Sequence, residues 1–262
     1  MKPFAPMLMY AFSLFAAAAV ASGCAKDTDS PAEQSAQEQE DAQNSEPHDS
    51  CILDAREYSG NATYYAADGS GACSFPKSPT DLRVAALNPQ DFAGSAACGA
   101  CVEVDGPDGS VRVRIVDLCP GCEPGDIDLS AEAFAEIADP DAGRVPVTWR
   151  FAPCPADGPI RYHFKEGSNQ WWTAVQVRNH RQPIATVEIK AGDEAYQQAE
   201  RSAYNYFIVG DGGMGVGPYD FRVTDTFGQV LEDRDIPFSP DTWADGQAQF
   251  PVCDPALGAP QN

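Results

Sequence analysis

Between Cys51 and Cys154 the chain is a series of short apolar-polar runs separated by Gly, Pro, Asn and Asp. The runs NATYYA, LRVAAL, ACVEV, VRVRIV and VPVTWRF have the composition and near-alternation of half-buried β-strands. Residues 131–138 form the one obvious helical stretch, capped by Ser130, and Pro89-Gln-Asp-Phe92 reads as a turn. Several short strands with a single helix predict a small closed β-barrel. A composition shift at Cys154-Pro-Ala-Asp-Gly-Pro159 then opens a second series, IRYHFKE, TAVQVRN, IATVEIK, YNYFIV and YDFRVTD, with a closing segment near AQFPVC. About eight strands at this spacing predict an immunoglobulin-like β-sandwich.

The chain ends follow other rules. Lys2 precedes the apolar run MLMYAFSLFAAAAV and then Ala21-Ser22-Gly23-Cys24, a run too short to span a membrane. Residues 1–24 are expected to be a signal peptide of lipoprotein type, with lipid on Cys24. Residues 25–50 carry eight acids against one lysine and, prolines aside, no aromatic or aliphatic residue larger than alanine, as expected of a disordered acidic linker. Residues 51–156 are then the barrel, 157–253 the sandwich and 254–262 a tail, each folded part large enough for its own core.

Nine cysteines become eight without Cys24, and eight in an exported chain predict four disulfides. Two CxxC pairs, Cys98 with Cys101 and Cys119 with Cys122, admit a zinc reading, but export and the four remaining cysteines favour disulfides. Cys51 and Cys253, outermost of the eight, are expected to pair. Cys73 is matched with Cys98, and Cys119 with Cys122. The formal charge of −22 divides as +1 in residues 1–24, −7 in residues 25–50 and −16 beyond. Such a surface repels nucleic acid and acidic polymers, so a neutral partner is expected. No phosphate loop, nucleophile elbow or histidine metal cluster occurs, and His163 and His180 read as structural; no cofactor or metal is expected.

Candidate chemistry concentrates in residues 111–130, VRVRIVDLCPGCEPGDIDLS. Asp117 is expected where its strand leaves the sheet. Asp128 lies between Ile127 and Leu129, whose side chains point to the other side, which turns its carboxylate toward an open surface.

GNATYY, GACSFP, AALNP, SAACGACVEV, VRVRIVDLCPGC, GDIDLS and VPVTWR resemble, in order and approximate spacing, the six-stranded double-psi β-barrel of expansins, shared with barwin and family 45 endoglucanases. The resemblance implies that Asp128 lines an open polysaccharide groove beside Asp117 and Thr63, and that Cys101 pairs with Cys154. Ordinary glycoside hydrolysis needs two carboxyl groups flanking the scissile bond. Asp128 matches the acid, whereas Ala66 or its neighbour stands where the related endoglucanases carry the base. Asp68 sits in the turn sequence Ala-Asp-Gly-Ser-Gly, which explains its presence structurally. Some bacterial members place a tyrosine and a glutamate in the loop between the two aspartates; this chain has Cys119 and Gly121, with Glu123 nearby.

In the second series, KEGSNQWWTAVQVRNHRQPIA and SAYNYF resemble the family 63 carbohydrate-binding module of expansins. Trp171, Trp172 and Tyr204 are then expected to form a flat aromatic row, with Lys165 beside it, since apolar faces of β-1,4-glucan stack on aromatic rings. The implied protein is a monomeric, extracellular or surface-lipidated expansin that binds cellulose and loosens plant-type wall polysaccharides without hydrolysis. Its membrane contact would be through Cys24 alone. The alternatives are a weak β-1,4-glucanase, a peptidoglycan lytic transglycosylase, and a non-catalytic adhesion module.

Overall fold

The structure, a computed structural model, describes residues 56–78, 80–210 and 212–253. The expected signal peptide, acidic linker and C-terminal tail, with Cys24 and Cys51, lie outside the described residues.

Six strands close the first barrel: β1 (Tyr58–Tyr65), β2 (Val84–Leu87), β3 (Cys101–Asp105), β4 (Ser110–Leu118), β5 (Ile127–Ser130) and β6 (Val145–Ala152), in the order β1-β5-β2-β4-β3-β6. β1/β5 and β2/β4 are parallel pairs, and the others are antiparallel. The expected turn is a one-turn helix, α1 (Pro89–Phe92), capped by the Asn88 side chain. The expected helix is α2 (Ala131–Ile137), where Ser130 Oγ accepts from Ala133 N at 3.1 Å. Alternate residues of the strands, among them Ala62, Val102, Val113, Ile127 and Leu129, fill the barrel. Trp149 closes one side: it stacks on Tyr58 at 4.0 Å and its indole donates to Gly125 O at 2.8 Å. Here β1 crosses the β4–β5 connection so closely that a Cβ on Gly60 would lie 2.4 Å from Gly125 C.

The alternation of β4 holds through Ile115 and then breaks, with Val116 also buried. Val116 is an extra residue of β4 opposite the Ala85–Ala86 step of β2, and this register shift absorbs the break, so pairing runs on to Leu118. Asp117, expected at the strand's exit, is therefore a paired residue within it.

The second body has eight strands: β7 (Arg161–Phe164), β8 (Ala174–Arg178), β9 (Ile184–Ala191), β10 (Gln197–Arg201), β11 (Phe207–Ile208), β12 (Tyr219–Asp225), β13 (Val230–Ile236) and β14 (Trp243–Asp245). Their order is β13-β12-β9-β10-β11-β8-β7-β14. β10 pairs with β9 through residues 197–199 and with β11 through Glu200 and Arg201, so the sheet turns over along this one strand. The two halves face each other as a sandwich, with Tyr162 of β7 stacked on Phe221 of β12 at 4.1 Å. The last strand is Trp243–Asp245, not the AQFPVC segment, where Pro251 carries no N–H for a ladder. β10 and β13 went unrecognised because their exposed positions are almost all polar, and β13 buries an aspartate: Asp233 accepts from Tyr162 OH at 2.8 Å and from Gln247 N at 2.6 Å.

Disulfides join Cys73 to Cys98, Cys101 to Cys154 and Cys119 to Cys122. The second of these is the pair implied by the barwin-type resemblance, and all six sulfurs of the two CxxC pairs and their partners are thereby used. Cys253 is also disulfide-bonded; its expected partner, Cys51, lies outside the described residues. Polar contacts bind the sandwich to the barrel, among them Gln176 Nε2 to Cys73 O at 2.8 Å, Ser95 Oγ to Ser202 O at 2.8 Å and Cys154 N to Arg181 O at 2.8 Å.

Candidate functional site

The order β1-β5-β2-β4 sets four residues in one cross-strand row, because Thr63 is registered with Asp128, Asp128 with Ala86, and Ala86 with Asp117. The flanking residues Ala62, Ile127 and Leu129 point into the core, so the row faces the outside of the barrel. Thr63 Oγ1 donates to Asp128 Oδ1 at 2.6 Å. Ala86 between the two aspartates leaves the floor of the row low. Asp117 is held by two backbone donors, Ala72 N at 2.7 Å and Leu118 N at 2.8 Å, both on Oδ1. This brace needs Gly71, where a Cβ would sit 2.4 Å from the Asp117 carboxyl carbon.

Electrostatics separates the acids. Burial raises the Asp128 carboxyl above its usual value and the Asp117 charge adds to this, against the Thr63 hydrogen bond and the Arg144 charge. Asp68 is the opposite case: hydrogen bonds from Lys77 and from Ser70 hold it well below the usual range, and Lys77 Nζ lies 2.8 Å from it. Asp68 is thus committed to its own turn, as its sequence context predicted. Ala66 is exposed and brings no acid to the row.

Sequence reasoning missed Tyr65. Its side chain lies on the Thr63 face of β1, and its hydroxyl is buried with no hydrogen-bond partner among the described residues. Burial first, then the charges of Asp117, Asp128 and Asp68, push the phenol far up, so it stays a neutral donor beside two carboxylates. The period of two from Thr63 is the signal that would have found it. The loop between the aspartates is closed by Cys119–Cys122, and Cys119 N donates to Leu87 O at 2.8 Å, tying the loop to the end of β2. Gly121 and Glu123 are exposed on it.

The other candidate residues gather on the sandwich. After β7 the chain turns at Gly167, and Asn169 Oδ1 accepts from the backbone N–H of Trp171 at 2.9 Å and of Trp172 at 3.2 Å. This tight loop frees the adjacent tryptophans from strand alternation: Trp171 is 71% exposed and Trp172 partly buried. Gly213 supports the loop from beneath, so closely that a Cβ there would lie 2.1 Å from Gln170 O. Tyr204 is 39% exposed, with its ring 5.9 Å from Tyr206. Lys165 lies 5.9 Å from the Tyr206 ring, and His163 Nδ1 is 2.9 Å from Tyr206 OH. Tyr206 therefore links Lys165 to Tyr204. His180 is buried, with Nδ1 2.7 Å from Gln182 O, while His163 is half-buried against Trp243. Trp243, 41% exposed, is a second aromatic that sequence reasoning did not single out.

Comparison with known proteins covers both bodies. Residues 58–149 match a family model described as lytic transglycolase. Expansin-YoaJ of Bacillus subtilis is 35% identical over 205 residues, spanning 74% of this chain and 87% of that protein. Expansin-B3 of Arabidopsis thaliana is 31% identical over 213 residues, 70% of this chain and 79% of its own. The crystal structure of apo Clavibacter michiganensis expansin, 33% identical, superposes with a TM-score of 0.70 and covers 75% of this chain and all of that one. An aspartate-to-asparagine mutant of that expansin, solved in complex with cellohexaose, matches equally well. Barrel, sandwich and sequence thus agree across most of the relatives' length, and the chain belongs to the expansin family.

Proposed function

We propose that this protein binds cellulose-like glucans and loosens wall polysaccharide networks without hydrolysing them. The observation that carries the reading is the lone Thr63–Asp128 pair on an open barrel face: Asp128 has the raised proton affinity of an acid, while Ala66 and the fully engaged Asp68 supply no base across from it. On this reading Asp128, Thr63 and Asp117 grip a glucan chain through hydrogen bonds that compete with those between neighbouring chains. Trp171, Trp172 and Tyr204, with Lys165, hold the protein on the wall by stacking against glucose faces. The cellohexaose complex of the Clavibacter relative supports a glucan ligand. The division into barrel 51–156 and sandwich 157–253 belongs to the same proposal, as do monomeric state, cleavage before Cys24 and a lipid anchor there. The disulfides fit a secreted protein.

The match of residues 58–149 to a lytic transglycolase model favours a second reading, in which Asp128 is an acid that cleaves peptidoglycan. Creep of a clamped cell-wall strip decides between them. Extension without new reducing ends from amorphous glucan, abolished by Asp128→Asn, supports loosening. Release of anhydro-muropeptides from peptidoglycan would establish lysis instead, and release of reducing ends a glucanase.

A further inference from the structure

Where the sandwich meets the barrel, a cavity of about 400 Å³ opens between them, within the size range of small-ligand sites. Four arginines line it, Arg83 and Arg114 from the barrel and Arg161 and Arg178 from the sandwich, together with Phe75 and Trp243. This is a cationic spot in a chain of formal charge −22. Arg83 pairs with Glu136 at 2.8 Å and Arg161 with Asp245 at 2.6 Å. Arg114 and Arg178 form no ion pair with a carboxylate among the described residues. Among the described residues the Arg114 side chain donates to Pro155 O, at 3.4 Å. Arg178 donates to Ser74 O at 3.0 Å and to Gln176 Oε1, with its Cζ 4.4 Å from the Trp243 ring centre and 5.1 Å from that of Phe75.

Burial lowers the pKa of both guanidiniums, that of Arg178 to about 10, as for cations partly stripped of water. Two acids also line the cavity, Asp81 and Asp157, both exposed, and the Asp81 charge acts on Arg114. A partly desolvated cation without a counter-charge is costly, and an incoming anion relieves that cost.

We propose that this junction cavity is a site for an acidic sugar, a uronate residue of a wall polysaccharide, with its carboxylate on Arg114 and Arg178 and its ring against Trp243. A planar guanidinium matches a carboxylate in geometry, and an aromatic face takes the apolar face of a pyranose. Neutral glucose offers the arginines only hydroxyls, and a phosphate offers Trp243 no ring. Its lining shares no residue with the groove row or the tryptophan loop, and a Trp171→Ala control separates it from the loosening reading. The −16 carried by the folded part repels long polyanions, which makes a short oligomer the proper probe.

The test is a calorimetric titration of the full chain with trigalacturonate, maltotriose and inorganic phosphate. Trigalacturonate should bind at least about tenfold tighter than either of the others. Arg114→Gln and Trp243→Ala should each weaken it by about tenfold or more, and Asp81→Asn, which removes a competing acid, should tighten it. Trp171→Ala should leave it unchanged. Equal affinity for the neutral trimer or for phosphate, or loss of binding in Trp171→Ala, would overturn the proposal. If Arg114→Gln fails to fold, exposed Trp243 and Asp81 still decide: unchanged affinity in both of those variants rejects the site.

Discussion

Thr63 and Asp128, 65 positions apart in the chain, are neighbours on parallel strands and share a hydrogen bond of 2.6 Å from the threonine hydroxyl to the carboxylate. Among the described residues the threonine is the one side-chain donor to this carboxylate, and partial burial raises the proton affinity of the same group.

Asp128→Asn keeps the oxygen that accepts from Thr63 and removes the partly buried charge. Thermal unfolding at neutral pH should therefore show the same or a slightly higher melting temperature, while wall-creep activity is lost. A variant that unfolds markedly earlier than the parent would give Asp128 a structural role instead.

Asp225 gives a pH prediction. It is buried in the β12–β13 turn, its Oδ1 accepts from Phe227 N at 2.9 Å and Gln229 N at 2.8 Å, and its Oδ2 has no partner among the described residues. Burial lifts its pKa from 3.8 to about 6, beyond what these backbone bonds offset. The native state thus holds this proton more tightly than the unfolded chain, so its stabilisation is complete below pH 3.8 and lost as pH rises through about 6. The loss is on the order of 3 kcal/mol. Asp225→Asn keeps the Oδ1 bonds without the charge. The stability of the parent relative to this variant, from urea unfolding at a series of pH values, should fall across that window and stay level above it.

The tryptophan loop depends on Gly213, which has a φ of +71° and no room for a Cβ. Gly213→Ala should displace Trp171 and weaken binding to insoluble cellulose nearly as much as Trp171→Ala does. Trp171→Ala itself should change stability by less than about 0.5 kcal/mol because the side chain is largely exposed. A cellulose pull-down in which both variants bind like the parent would remove the aromatic row from the binding surface.

The disulfides should differ in worth according to the loops they close. Cys101–Cys154 spans a sequence separation of 53 and Cys119–Cys122 one of 3. Paired serine substitutions should cost about 4 kcal/mol for the first and about 1.5 kcal/mol for the second on the chain-entropy model. Denaturant midpoints measure this; equal costs would mean that native-state contacts, and not loop closure, set the contribution.

Much of this architecture is legible in one dimension. Short alternating runs with Gly and Pro between them define most strands, as in VRVRIV and YDFRVTD, and Ser130 marks the start of α2. The motifs GDIDLS and NQWWTAV carry the expansin resemblance and so pick out Asp128 and the tryptophans. β10 and β13 escaped because strands on a solvated face, or with a buried Asp233, carry little hydrophobic period. Tyr65 escaped because its importance lies in where its hydroxyl ends, and side-chain period gives only a face.

Local sequence, then, determined most of the strand and turn pattern, the capped helix α2 and which side Asp128 faces, because backbone propensity and alternation act within a few residues. Only the tertiary structure decided that Thr63, Asp128, Ala86 and Asp117 form one row, since that depends on parallel pairing of strands distant in sequence and on a register shift that alternation does not encode. It also decided that Arg114 and Arg178 line one cavity at the junction of barrel and sandwich. Each arginine alone reads as an ordinary exposed-face residue of a strand, and packing of one fold against the other brings them together and strips their water.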